Sequence, residues 1–416
     1  MAADKQDKVL NVPTKGKVPN LRFPEFTDDW VLHPTTDYFE FKNGLNPDAK
    51  RFGSGTKFIS VMDILNNRYI TYDKIIASVK PKENDLKEFG VNYGDILFQR
   101  SSETLEDVGR ANVYLDKETA LFGGFVIRGK KIGEYNPLFF RYLLSCPHVR
   151  KRIVVKGAGA QHFNIGQDGL SKVALFVPSA KEQEQIANLL NLVDERIETQ
   201  SRIIEDLRNL KTYIHNRVFS KVNTLFGQRN TIRLSDIATK ITRKNKGNTI
   251  NNVLSNSAAM GIVPQAEVFD KEIANEDNTA NYYVIENGDF VYNPRKSAQA
   301  PFGPINMYTG QAKGIISPLY LCFQVTDINK NYLLHYFMSN VWYSYIYSNG
   351  DTGVRHDRVS IKDETFLNMP LYIHTVDKQQ EIANMMEQVD AKIALEELYL
   401  TKFQKQKDYL LSAMFV

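Results

Sequence analysis

Gln183-Glu184-Gln185-Ile186-Ala187-Asn188-Leu189-Leu190-Asn191-Leu192-Val193-Asp194 returns later in the chain as Gln379-Gln380-Glu381-Ile382-Ala383-Asn384-Met385-Met386-Glu387-Gln388-Val389-Asp390, an offset of 196 residues (382 − 186). The same offset carries Lys211, Tyr213 and Phe219 onto Lys407, Tyr409 and Phe415. A gap-free repeat preceded each time by a less similar region means two variable modules alternating with two shared segments, and such a repeat decides the architecture before any local motif does.

The repeated segments read as helices. From Ala180 to about Ser220 there is no Pro or Gly, and Ile186, Leu190, Val193, Ile197, Ile204, Leu207, Ile214 and Val218 follow in steps of three, four or seven, which is one heptad stripe. Forty residues of helix span about 60 Å, too long for a small domain to cover. The second copy, from Asp377 to Phe415, places Ile382, Met386, Val389, Ile393, Leu400, Phe403, Leu410 and Met414 at the same phases. Two equal helices with matching seams most simply pack on one another within the chain. A homodimeric coiled coil is the competing arrangement.

Outward from the helices, the first module shows short β-branched or aromatic runs at residues 56–61, 95–98 and 174–177, bounded by Gly, Asn and Asp. A helix opens at Pro137. The second module repeats the landmarks. Gly94-Asp95 through Arg100-Ser101 resembles Gly288-Asp289 through Arg295-Lys296-Ser297. Residues 136–145 resemble 330–339, with Tyr142 opposite Tyr336, and Gly159-Ala160-Gln161-His162 resembles Gly353-Val354-Arg355-His356. The fold class expected is α+β: two pseudo-symmetric α/β modules separated by two long helices packed as an antiparallel coiled coil. The expected bounds are a disordered tail over 1–19, a first module over 20–178, a central helical spacer over 179–222, a second module over 223–376 and a C-terminal helical spacer over 377–416.

Composition narrows the function. The chain has 416 residues, 43% of them hydrophobic, which is enough for two or three cores. Its 52 basic and 48 acidic residues leave +4, so a nucleic-acid binder must concentrate its positive charge or borrow it from a partner. Cys146 and Cys322 lie in different modules and suit neither a disulfide framework nor a zinc site. No apolar run approaches the ~18 residues of a membrane span, and the first twenty residues lack the apolar stretch of a secretory signal. The expectation is a cytoplasmic protein.

Catalytic motifs fail one by one. Gly124 to Lys131 has most of the phosphate-loop spacing but no terminal Ser or Thr, and its interior reads as a strand. Asn293-Pro294-Arg295 lacks the second proline and the aromatic residue of an adenine-methyltransferase loop. No zinc-protease or nucleophile-elbow motif occurs. What remains is a set of loops mixing Arg or Lys with Asn, Gln or Ser, often beside Gly. They contain Lys42, Asn43, Lys57, Arg100, Ser101, Lys156, Gln161 and His162 in the first module. In the second they contain Arg243, Lys244, Asn245, Arg295, Lys296, Arg355, His356 and Arg358. Cations neutralise phosphates, Arg reads guanine edges, and Asn or Gln reads adenine. These sixteen residues are the candidate DNA contacts. Arg100 with Arg295, and Gln161 with Arg355, are the matched pairs.

At this point the chain resembles the specificity subunit of a type I restriction-modification system. Residues Asn20 to Trp30 are similar to that family's opening segment, and Pro178 to Ala187 with Val193-Asp194 resembles the passage from its recognition domain into the central helix. Asp377 to Asp390 resembles the second instance, with His374-Thr375-Val376 where the family keeps a proline. The resemblance implies two target recognition domains, each reading half of a bipartite, asymmetric DNA site, with the paired helices fixing the gap. It implies two methyltransferase subunits that methylate adenine N6, and two restriction subunits in the full complex. The S-adenosylmethionine, ATP and Mg2+ belong to those partners, and no cofactor is expected on this chain. A self-contained methyltransferase or nuclease is the enzymatic alternative, which methyl transfer by the purified chain would reveal. A scaffold or DNA mimic is the other, and a mimic would be strongly acidic.

Overall fold

The computed structural model describes residues 17–159, 162–220, 226–267, 276–351 and 357–416. Two compact units emerge, Met1–Ser201 with Leu398–Val416, and Arg202–Glu397. Residues 1–16 of the expected tail lie outside the described residues, and Lys17 already bridges to Trp30.

Asparagine caps set how each unit meets its long helix. In the first, the Asn136 side chain accepts from Phe139 N at 3.0 Å and opens the helix Pro137–Ser145, satisfying one of the amides a helix start leaves unpaired. Gln183, in the first turn of the central helix Ala180–Phe219, accepts from Asn136 N at 2.9 Å and donates to Pro178 O at 3.0 Å. In the second unit Asn329 accepts from Tyr332 N at 2.9 Å and opens Lys330–Met338. Gln379 then accepts from Asn329 N at 3.0 Å and donates to His374 O at 2.9 Å. The C-terminal helix Val376–Ala413 therefore starts without the proline, because the glutamine clasp needs only a carbonyl at that position.

These caps correct one correspondence. Asn136 matches Asn329, an offset of 193 (329 − 136), so Tyr142 stands opposite His335 and not Tyr336. The burial pattern agrees: Phe139, Phe140, Tyr142, Leu143 and Leu144 are buried on one helix, and Tyr332, Leu333, His335, Tyr336 and Phe337 on the other.

The first unit holds an antiparallel sheet in the order Phe39–Asn43, Val126–Lys131, Ile96–Gln99, Ala111–Val113. A second sheet joins Ser78–Val79, Phe52–Ile59 and Leu121–Phe122, the last pair parallel. The run expected as a strand over 56–61 ends at Ile59, since Ser60 caps a short helix. Trp30, Phe39, Phe98 and Phe140 share one core with Ile186 and Leu190 of the central helix, with Leu410 of the C-terminal helix and with Met414 and Phe415 just beyond its end. Glu182 ties in the chain start, accepting from Arg22 Nε at 2.7 Å and from Trp30 Nε1 at 3.1 Å.

The second unit repeats this plan. Ala238–Lys240, Leu321–Val325, Phe290–Tyr292 and Ile305–Met307 form the antiparallel sheet. Gly261–Pro264, Val253–Ser257, Gly314–Ile316 and Tyr283–Ile285 form the other, again with one parallel pair. Its main core includes Phe219 of the central helix and Ile382, Ala383 and Met386 of the C-terminal one.

Inside each unit the two long helices run antiparallel. In the first, Lys407 Nζ lies 2.6 Å from Asp194 Oδ1, and Arg196 sits over the Phe403 ring at 5.2 Å. In the second, Lys211 pairs with Asp390, and Arg208 with Glu397 at 2.6 Å. Asp194–Lys407 and Asp390–Lys211 are one ion pair used twice, each residue displaced by 196 (390 − 194 and 407 − 211). No described helix is long and apolar enough to cross a membrane.

Candidate nucleic-acid interface

Part of the candidate set gathers at one end of each antiparallel sheet: Asn43, Arg100, Ser101 and His162 in the first unit, and Arg295, Lys296 and Arg358 in the second. In the first unit Asn43 lies opposite Ile127 and Gln99 opposite Val126, so three strand ends stand side by side. Arg100 leaves this edge with its N–H donating to Phe125 O at 2.9 Å and a guanidinium N–H donating to Gly124 O at 3.2 Å. Its own carbonyl accepts from Ile165 N at 2.9 Å, which draws in the loop before that residue. Ser101 and Asn164 become cross-strand partners. The Ser101 hydroxyl donates to Asn164 Oδ1, and Asn164 Nδ2 donates to His162 O at 3.3 Å. Lys156 and His162 are exposed on the same loop. Beside it, Phe125 is 69% exposed at the mouth of a groove of about 400 Å³ lined by Phe52, Phe58 and Met62.

In the second unit the matching edge is Asn293-Pro294-Arg295. Pro294 O accepts from Val359 N at 2.9 Å, and Arg295 bridges to Arg358. Asp357 lies between the two arginines, 3.9 Å from Arg295 Nε and 3.4 Å from Arg358 Nε. Lys296 N donates to Asp357 O at 2.9 Å. Leu319 occupies the place of Phe125 and is 65% exposed. Arg243 is held by Asp289 at 3.0 Å and by Glu286 at 3.7 Å. Lys313 and then Arg243 hold the Glu286 carboxyl below its usual range. Lys244 is exposed near Asn281.

Several expectations change. Arg100 does not pair with Arg295 across the repeat. The carbonyls that accept from Ile165 and Val359 equate Arg100 with Pro294, so Arg295 takes the place of Ser101 and Arg358 that of Asn164. Asn245 is withdrawn as a DNA contact: it is buried, and its amide stitches a loop through Ile250 N and O at 3.1 and 2.9 Å. Lys57 is withdrawn as well, because its half-buried ammonium donates to Ile75 O at 2.6 Å. Lys42 is half-occupied, 3.3 Å from Glu88 and over the Phe89 ring at 4.7 Å. Asn43 is exposed at the end of its strand, opposite Ile127. Gln161, Arg355 and His356 lie outside the described residues. Asn164, Phe125 and Leu319 were not singled out from the sequence. Counting the 194 residues (289 − 95) that separate the buried Gly94-Asp95 and Gly288-Asp289 turns back from Arg358 finds Asn164, and the same offset shows only that Phe125 and Leu319 correspond.

Burial rather than catalysis explains the perturbed groups. The Cys146 and Cys322 thiols are free and buried, pushed up to about 11 and about 12. No group of three or more His, Cys, Asp or Glu able to hold a metal occurs among the described residues. Two scaffolds presenting different polar loops at the same sheet end define a class, the two-module nucleic-acid reader.

Residues 27–209 match the model of the Type I restriction modification DNA specificity domain. A putative type I restriction enzyme specificity subunit of Methanocaldococcus jannaschii is 22% identical over 94% of this chain and 93% of its own. The crystal structure of the type I restriction-modification S subunit from M. genitalium covers 96% of this chain and 99% of its own, at 15% identity and TM-score 0.51. A structure described for complex assembly and conformational transition of the type I R-M system covers 92% and 96%, at 12% identity and TM-score 0.58. At these identities the two structures establish the shared fold. Residues 27–209 therefore carry a DNA specificity domain of the type I restriction-modification kind, and over nearly its full length the chain is similar to a specificity subunit of such a system.

Proposed function

We propose that each module reads one half of a bipartite, asymmetric DNA site, and that the paired helices set the gap between the halves. The observation that carries this reading is the duplicated sheet edge. The same strands and carbonyl clasps present Arg100, Ser101 and Asn164 in one unit and Pro294, Arg295 and Arg358 in the other. Two methyltransferase subunits dock on this chain and supply S-adenosylmethionine and the adenine-N6 chemistry, and two restriction subunits add ATP- and Mg2+-dependent cleavage in the full cytoplasmic complex. This chain binds none of those cofactors. Methylation of a base in duplex DNA requires extruding it, so the reader must grip the flanks while its partner takes the adenine. The recognition modules are assigned to 20–178 and 223–376, and the spacers to 179–222 and 377–416.

Single-molecule methylome sequencing tests the proposal in cells expressing this chain with its methyltransferase partner, against cells lacking the chain. Methyladenine confined to one bipartite motif, and present only with the chain, is expected. No new methylation by a partner shown to be active and bound would overturn it.

A further inference from the structure

We propose that the two modules differ in the base they read at one equivalent position: adenine in the first, through Asn164, and guanine in the second, through Arg295 and Arg358. This rests on the reading that each module recognises half a site. The positions are equivalent by backbone geometry, since each cross-strand pair lies one residue beyond a matching carbonyl clasp, Ile165 N to Arg100 O in one unit and Val359 N to Pro294 O in the other. At the paired positions themselves the side chains differ: Ser101 and Asn164 in one unit, Arg295 and Arg358 in the other.

In the first unit the pair is a hydroxyl and an amide. An amide offers two N–H donors and two acceptor lone pairs. Ser101 donates to Asn164 Oδ1, and His162 O takes one N–H. One donor and one lone pair remain on an exposed side chain held in a fixed orientation. A donor beside an acceptor is the complement of adenine N7 and N6 in the major groove. Neither Ser101 nor Asn164 carries charge, so this position adds nothing to phosphate attraction.

In the second unit the pair is two guanidiniums. Asp357, the one anion paired with either among the described residues, approaches both at Nε. That leaves the forked ends, which carry two donors each, and Arg295 has 59% of its side chain exposed. Paired donors complement guanine O6 and N7. Asp357 also holds two like charges close together that would otherwise repel, so the arginines are positioned and not merely solvated.

The test is selection of bound duplexes from a library with two random segments, using the full chain assembled with its methyltransferase partner. Variants are Asn164→Ala, Arg295→Ala and Arg358→Ala, with assembly and salt dependence measured for each. The expected result is a bipartite motif in which Asn164→Ala relaxes one adenine in one half. Arg295→Ala or Arg358→Ala should relax one guanine in the other half. Each loses about 5- to 150-fold discrimination at that position alone. Uniform weakening across all sequences, with a salt slope reduced by about one, marks a phosphate contact and overturns the inference while leaving half-site recognition intact. Relaxation at a different base type, or of both halves by one variant, overturns it likewise. Absence of any bipartite motif from assembled wild-type complex overturns the recognition reading itself, and this inference with it.

Discussion

Asp194 and Asp390 occupy the same place in the repeat, yet their loss should have different consequences. Asp194 is 6% exposed, accepts from Tyr142 OH at 2.8 Å, and lies 2.6 Å from Lys407 and 3.3 Å from Arg141. Asp390 retains 43% exposure and pairs with Lys211; its module places His335 where the other has Tyr142. Asp194→Ala strands a buried phenol, which costs about 1–3 kcal/mol. It also strips Lys407 of its anion, and since Lys407 is 25% exposed and can turn to water, this adds only about 1 kcal/mol. The sum is about 2–4 kcal/mol, overlapping the low end of the ~3–5 kcal/mol of a fully buried pair. Asp390→Ala should cost no more than about 1 kcal/mol. Hydrogen exchange resolves the two by segment. Asp194→Ala should speed exchange in residues 186–201 and 398–411 by about 30- to 700-fold, and Asp390→Ala should speed residues 202–216 and 380–397 less than about fivefold. A double-mutant cycle with Lys407→Met should recover part of the first cost as coupling. Equal effects at the two aspartates, or a larger one at Asp390, would refute the claim that burial of the network sets its value.

Acid should loosen the second unit first. His215 and His335 touch at 3.1 Å, His374 meets Tyr332 OH at 2.9 Å, and burial holds the three down to about 3, about 4 and about 4. Groups neutral when folded but titrating near 6.5 when unfolded cost nothing above pH 6.5. Below it they destabilise progressively, by about 2 kcal/mol each at pH 5. Exchange protection should therefore fall in 202–397 before 17–201, and the reverse order would contradict it. Deleting the facing heptads Arg196–Arg202 and Tyr399–Lys405 shortens the paired helices by about 10 Å, or roughly three base pairs at ~3.4 Å each. The accepted gap should shrink by that much with both half-sequences kept, and an unchanged gap would end the ruler idea. Gly94 and Gly288 turn at φ +90° and +85°, so Ala at either should lower its unit's stability by about 1–2 kcal/mol in denaturant unfolding. No loss at either position would show that the turn relaxes.

The helical frame was legible because its signal is long and redundant. Eight apolar positions at one phase, repeated 196 residues on, fixed both helices, and the pairing direction followed once Asp194 met Lys407 and Lys211 met Asp390. The edges were less legible because sequence offset is not constant. It is 196 along the helices, 194 at the Gly-Asp turns and 193 at the asparagine caps, so residue identity pairs Arg100 with Arg295 where the backbone pairs it with Pro294. Composition also hides burial. Lys57 and Asn245 have the residue types of DNA contacts, but their polar atoms are spent on Ile75 and Ile250. Conversely, Phe125 and Leu319 read as core residues and stand exposed beside the polar edge.

The pattern of what is shared and what differs bears on function. Much of what positions the edge recurs: the Gly-Asp turn, the tyrosines Tyr114 and Tyr308 whose carbonyls accept from the turn glycines, the asparagine cap and the glutamine clasp. The side chains held there do not recur: hydroxyl and amide against two guanidiniums, Phe against Leu. If the modules served only to pack against the helices, the sheet ends would have no reason to diverge while the caps and turns stayed fixed. If they bound one symmetric target, the edge chemistry should match. A scaffold held constant beneath a changed polar edge is the arrangement expected of two readers facing different sequences at a spacing that the helices set.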